Sequence, residues 1–145
     1  MQVQIVQISA KDTLPLRQSV LWPDHPVDFS RVAGDESALH FGAHVGGELV
    51  SVLSLFKNES VMQLRKFATR SDCQGKGVGT LMMRHALSVA NASGADRVWL
   101  SARESAMPFY AKFGFQPFGD AFFKEGQPYR KMQISLPDQS LASSA

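Results

Sequence analysis

The order of apolar and polar positions along the chain alternates between two periods. Val3, Ile5 and Ile8 stand among glutamines in a run that alternates apolar with polar, which predicts a strand over about residues 3–8 and gives no charged n-region followed by an apolar stretch. Ser9 or Asp12 then caps a short helix carrying Leu14, Leu16, Val20 and Leu21, and the turn-rich stretch from Pro23 to Asp35 has no clear period and reads as a loop or a broken helix. Ala38–Val45 and Leu49–Phe56, joined across Gly46-Gly47-Glu48, form the clearest hairpin signal, and a further strand covers about 61–69. Three- and four-residue steps through Val78, Leu81, Met82, Ala86, Val89 and Ala90 predict an amphipathic helix that Gly94 ends as a left-handed cap. A short strand at Arg97–Ala102, a helix from about Glu104 to Phe113 stopped by Gly114, and an antiparallel pair at Phe115–Phe123 and Tyr129–Leu136 complete the series. This order predicts a mixed sheet with helices on both sides.

Length and composition set bounds on that reading. The 145 residues make one domain over 1–136, with a serine-rich flexible tail at 137–145. Hydrophobic residues at 44% and aromatics at 10% supply a core, and a net charge of +2 implies no general affinity for nucleic acid. The longest apolar run, Leu49 to Phe56, is far too short to span a membrane. A single cysteine, Cys73, excludes an internal disulfide and fits a reducing, cytoplasmic setting. Histidines 25, 40, 44 and 85 have no metal-ligand spacing, so no metal is expected; His85 reads as a core imidazole on the buried side of its helix. Apolar sheet edges allow a homodimer without requiring one.

The chemistry concentrates in Gln74-Gly75-Lys76-Gly77-Val78-Gly79-Thr80, set between a strand and a helix. Glycines at alternate positions let backbone N–H groups approach a ligand, and the helix N-terminus behind them favours an anion, best a phosphate or pyrophosphate. A P-loop is excluded because Gly77 follows Lys76 where Ser or Thr would hold magnesium, and the dinucleotide fingerprint has the wrong glycine spacing. Arg65, Lys66, Arg70, Lys76 and Arg84 cluster in sequence around the turn and read as cations for an anionic ligand.

The pattern Gln74-x-x-Gly77-x-Gly79, preceded by Leu64-Arg65-Lys66-Phe67-Ala68 and followed by Phe109-Tyr110-Ala111-Lys112-Phe113-Gly114-Phe115, resembles the GNAT superfamily of acyl-CoA-dependent N-acetyltransferases. The resemblance implies that the turn holds the pyrophosphate of acetyl-CoA. It also implies a mixed, mostly antiparallel α/β sheet whose two central strands, here Met62–Thr69 and Arg97–Ala102, splay to admit the pantetheine arm. Backbone groups of Phe67, Ala68 and Thr69 would meet that arm. Tyr110 would protonate the departing thiolate once the amine has attacked the thioester; read without the family, Tyr110 packs beside Phe109 and Phe113.

Further segments, among them Leu16-Arg17-Gln18-Ser19-Val20-Leu21-Trp22-Pro23, Ala102-Arg103-Glu104-Ser105-Ala106 and Gly126-Gln127-Pro128-Tyr129, look like the glyphosate N-acetyltransferase group of bacterial enzymes. That likeness implies a small-molecule amine with an acidic, amino-acid-like part, bound by arginines at Arg65 and Arg103. The chain departs from the group at two positions: a third substrate arginine falls at Trp22, which either lines the substrate or packs under its loop, and the histidine that takes the substrate's proton falls at Tyr129. Glu59 and Glu104 are further bases to consider, and a free α-amine near pKa 8 needs little help. Three other readings follow from the same residues: a non-catalytic acyl-CoA-binding module, a nucleotide-binding protein, and an acetyltransferase acting on protein N-termini or lysines.

Overall fold

The structure is a computed structural model that describes residues 2–137, so the predicted tail beyond Pro137 lies outside the described residues. Ten elements follow in chain order: β1 (Val3–Ile8), α1 (Ala10–Leu16), β2 (Leu39–Val45), β3 (Glu48–Asn58), β4 (Val61–Thr69), α2 (Val78–Ala92), β5 (Arg97–Arg103), α3 (Met107–Ala111), β6 (Gln116–Lys124) and β7 (Gln127–Ser135). Seven strands form one sheet in the order β1-β2-β3-β4-β5-β7-β6, flanked by helices. The chain divides into two compact units, Met1–Phe56 with Leu64–Ser88, and Lys57–Gln63 with the described residues from Val89 on.

In the first unit, Ser9 starts α1 through a capping box: its hydroxyl accepts from Asp12 N–H at 3.3 Å while its own N–H donates to the Asp12 carboxylate at 3.5 Å. The predicted single helix through Leu21 is interrupted. Pro15 lacks an amide to donate, and after Leu16 the ladder widens into a π-helical turn over Arg17–Leu21. That turn carries a fully buried guanidinium. Arg17 donates to both carboxylate oxygens of Asp35 at 2.9 Å, to Ser30 O at 3.1 Å and to Ser54 Oγ at 2.9 Å. Ser54 Oγ lies 2.6 Å from His40 Nδ1, and His40 Nε2 lies 2.7 Å from Asp35 O, which makes the Nε2–H tautomer the one that satisfies both contacts. The stretch after Pro23, read as a loop or a broken helix, carries two separate 3₁₀ turns at Val27–Ser30 and Asp35–Ser37.

The hairpin of β2 and β3 turns at Gly46 and Gly47, whose φ angles of +59° and +81° are those a two-residue turn between twisted strands demands. Residues 50–55 of β3 are all buried, as in a central strand covered on both faces, and the two serines there are paired, Ser51 with Thr69 Oγ1 at 2.9 Å and Ser54 as above. Leu16, Val52 and Ala68 make a buried cluster that Ile8, Val20, Leu21 and Leu49 cover.

In the second unit the opening residues of β4 pair in parallel with β5, Val61 opposite Arg97, Met62 opposite Val98 and Gln63 opposite Trp99. β7 runs antiparallel to both β5 and β6, so the last strand of the chain sits inside β6 and not at the edge. The helix predicted over Glu104–Phe113 contracts to a 3₁₀ turn at Glu104–Ala106 and a short α3, because Pro108 enters its first turn and Gly114, at φ +101°, reverses the chain.

Helix α2 runs two residues beyond the predicted Ala90 and stops where Gly94 takes φ +81° and Ala95 N–H returns to Ala90 O at 3.2 Å. Its buried stripe is rotated from the predicted one. Val78, Met82, Met83, Ala86, Leu87 and Ala90 are buried, whereas Leu81 is 44% exposed. Apolar residues on both flanks of one face gave the period but not its phase.

Candidate acyl-CoA turn and acceptor residues

The glycine turn is set by contacts at its N-terminal side. Arg70 N–H donates to Val50 O at 2.7 Å, Cys73 N–H to Arg70 O at 2.8 Å, and the Gln74 side-chain amide to Thr69 O at 2.8 Å, which folds the turn back on the end of β4. Gln74, Gly75, Lys76 and Gly77 are exposed, and Val78 is fully buried, so the helix starts from a fixed point with its approach open. Gly75 and Gly77 take φ angles of +75° and +90°, and a Cβ at either would meet nothing within 4 Å. Glycine is therefore required by backbone conformation there and not by crowding. Gly79 is different, lying within the first turn of α2 with Thr80. The first bond of the helix runs from Leu81 N–H to Gly77 O at 3.2 Å, so the N–H groups of Val78, Gly79 and Thr80 precede the ladder. An open, cationic, amide-lined turn at the start of a 15-residue helix fits a diphosphate.

Not every cation grouped with the turn by sequence is available to it. Arg70 pairs with Glu48 at 2.8 Å and with Asp72 at 2.6 Å, and its bond to Asp72 holds that carboxyl below its ordinary value. Arg65 on β4 is the contrast. It is half-buried, its guanidinium carbon lies 5.6 Å above the Phe56 ring, and among the described residues it makes no hydrogen bond or ion pair. Burial, and then the charge of Arg17, lowers its pKa. Lys66, next to it, adopts φ +56°, a left-handed conformation in mid-strand that no periodicity signalled. Ala68 is buried, and Phe67 and Thr69 are partly so. Trp22 is only 7% exposed and packs edge-on against His25 and Phe29, both at 5.5 Å between ring centres, so packing accounts for its burial. His85 is half-buried, meets Phe41 edge-on at 4.6 Å, and its pKa is lowered by burial.

In the second unit Arg103 and Tyr129 face each other across β5 and β7, and Arg103 Nε donates to the Tyr129 hydroxyl at 3.1 Å. Tyr129 is 8% exposed and stacks on Phe122 at 5.6 Å. Arg103, Glu104, Ser105, Gln127 and Pro128 line a cavity of about 280 Å³. Tyr110 on α3 contacts Phe109 and Phe115 edge-on, at 5.3 Å and 6.0 Å, and burial pushes its phenol up to about 12 from the value near 10 that the sequence alone implies. It stays protonated at any physiological pH and is a weaker acid than an exposed tyrosine. Among the described residues no three His, Cys, Asp or Glu side chains are arranged to hold a metal, and no helix is long and apolar enough to cross a membrane.

A seven-stranded mixed sheet with a glycine turn opening its main helix defines a class, and comparison with known proteins gives it a family. Residues 26–136 match the model of the acetyltransferase (GNAT) domain, and the chain belongs to that family. It is 28% identical over 129 residues to the uncharacterized N-acetyltransferase YitI of Bacillus subtilis (strain 168), an alignment covering 83% of this chain and 87% of that one. Among solved structures, Ard1 from Thermoplasma volcanium shares the fold with a TM-score of 0.79 at 20% identity, over 95% of this chain and 100% of that one. A GNAT family acetyltransferase from Elizabethkingia anophelis, with acetyl-CoA bound, superposes with a TM-score of 0.73 at 13% identity, over 92% of this chain and 98% of that one. The protein is an acetyl-CoA-dependent N-acetyltransferase of GNAT type.

Proposed function

We propose that the acceptor is a small amine carrying an acidic, amino-acid-like group, as in the glyphosate N-acetyltransferase group that the sequence resembles. The observation that carries this reading is Arg65, a half-buried cation that no carboxylate meets in a hydrogen bond or ion pair among the described residues, Asp35 acting on it only at longer range. Withdrawing a guanidinium from water without a directly paired acid is costly, and a carboxylate or phosphonate supplied by the acceptor would offset that cost with two parallel hydrogen bonds. Arg103 is the second candidate for the acid group. Its Nε donates to the Tyr129 hydroxyl, so Tyr129 orients this guanidinium beside whatever part it takes as the counterpart of the family's histidine.

The amides and glycines of Gln74–Thr80, with Lys76, would hold the pyrophosphate, and the backbone of Phe67, Ala68 and Thr69 the pantetheine arm. Acetyl-CoA supplies the activated acyl group. Tyr110 keeps a proton on a phenol withdrawn from water, where it serves as the donor to the departing thiolate. Thiol release from acetyl-CoA, followed with a panel of amines with and without carboxylate or phosphonate groups, tests the reading. Arg65→Ala should raise KM for the anionic acceptors alone; turnover of uncharged amines as fast as of anionic ones would overturn it.

A further inference from the structure

The second-unit cavity differs from an anion site in its charge. Of its five lining residues, Arg103 is a cation, Glu104 an anion, Ser105 and Gln127 are neutral hydrogen-bonding groups, and Pro128 is apolar. A simple anion entering it meets as much repulsion as attraction, whereas a group with both signs is matched at both ends. Arg103 ends β5 and Glu104 begins the 3₁₀ turn, and both line the same cavity. The volume of about 280 Å³ is just under the usual range for whole drug-sized ligands and admits a headgroup.

We infer that this cavity is a binding site for an α-amino-acid headgroup, with Arg103 on the carboxylate and Glu104 on the ammonium, and that Glu104 determines acceptor specificity. The inference rests on the acidic-acceptor reading and narrows it. The α-amine of a free amino acid, made more basic by the carboxylate on the same carbon, enters as the ammonium at neutral pH, and Glu104 recruits that form. Glu104 correspondingly disfavours acceptors with two negative charges and no cation, which the cavity's single arginine cannot balance.

The test is titration of the full-length, ¹⁵N-labelled chain with L-norvaline, pentanoate and butylamine, read from the amide signals of residues 103–105 and 127 and the Arg103 Nε–H signal. Norvaline should bind about fivefold tighter than pentanoate, the size of one partly exposed ion pair. Glu104→Gln should erase that advantage with pentanoate binding unchanged, and Arg103→Lys should weaken both. Equal binding of norvaline and pentanoate, an advantage that survives Glu104→Gln, or signals that none of the probes moves would each overturn the site. The broader reading fails separately: a norvaline advantage at Glu104 with no Arg65 dependence of turnover sinks the Arg65 assignment and keeps this site. Arg65-dependent turnover without the advantage does the reverse.

Discussion

The glycine turn of the first unit and the arginine-bearing cavity of the second, the two candidate ligand sites, are built from different materials. In the turn the groups on offer are backbone amides, and side chains matter mostly by being absent: two glycines at positive φ, open space where a Cβ would sit, and a helix N-terminus behind them. In the cavity the backbone is an ordinary β5–β7 ladder, and everything specific is in side chains, namely Arg103 held by Tyr129 with Glu104 beside it. A backbone site is tied to a ligand's invariant part because it cannot be retuned one side chain at a time. A side-chain site is free to follow the variable part. On the proposed assignment, the family-wide cosubstrate and the chain-specific acceptor divide in this way.

The largest effect should come from the frame of the first unit. Asp35→Ala leaves Arg17 buried without its carboxylate, and urea denaturation should show a loss of about 3–5 kcal/mol; a loss under about 1 kcal/mol would mean the pair is not part of the frame. The same pair has a pH signature. Burial pushes the Asp35 carboxyl up, but the hydrogen bonds from Arg17 and the Val32 amide outweigh it and the net pKa falls below the ordinary 3.8. A depressed carboxyl stabilises the fold above its unfolded pKa, so this contribution should be intact above about pH 4 and fade as pH drops through the lower folded value. Asp35→Ala should abolish that part of the acid dependence.

Next in size, Tyr110→Phe should lower kcat about 10²-fold while leaving acetyl-CoA affinity within twofold, since a proton donor acts in the transition state. Unchanged turnover would remove Tyr110 from the chemistry. Gly77→Val tests the backbone half of the contrast, because a β-branched residue at φ +90° costs about 1–2 kcal/mol and displaces the amides. Calorimetry should show acetyl-CoA binding weakened about 10- to 30-fold, with acceptor KM unaffected. A valine variant that binds acetyl-CoA normally would break the claim that backbone shape makes this site. The smallest effect, about tenfold in KM for anionic acceptors, is that expected of Arg65→Ala.

What the sequence disclosed follows the same division. The turn was legible because its physics is local: glycine spacing, a strand before and a helix after are all read within twenty residues. β1, the Gly46-Gly47 hairpin and β4 were legible too, since period and turn chemistry act over short range. Arg70 looked like a phosphate ligand until Glu48, 22 positions away, took it. Trp22 had two readings, and its packing against His25 and Phe29 was written in no period of apolar letters. Leu81 and Leu87 exchanged places because both lie beside the helix stripe and only the packed neighbours decide its phase. The left-handed Lys66 left no trace in a pattern of apolar and polar letters. Glu104 was visible as a base to consider, but its companionship with Gln127 in one cavity needed β7 to lie against β5.

Arg17 has one more consequence, for how the first unit comes together. Its partners come from positions 30, 35 and 54, with His40 joined through Ser54, so no short stretch of chain can satisfy it alone. A form with only some of these segments assembled would strand the guanidinium in an apolar interior. Intermediates of that kind are penalised, and the unit is driven toward all-or-none assembly. Lysine at this position could not serve, since one ammonium with three hydrogens cannot span the fork that a planar guanidinium does.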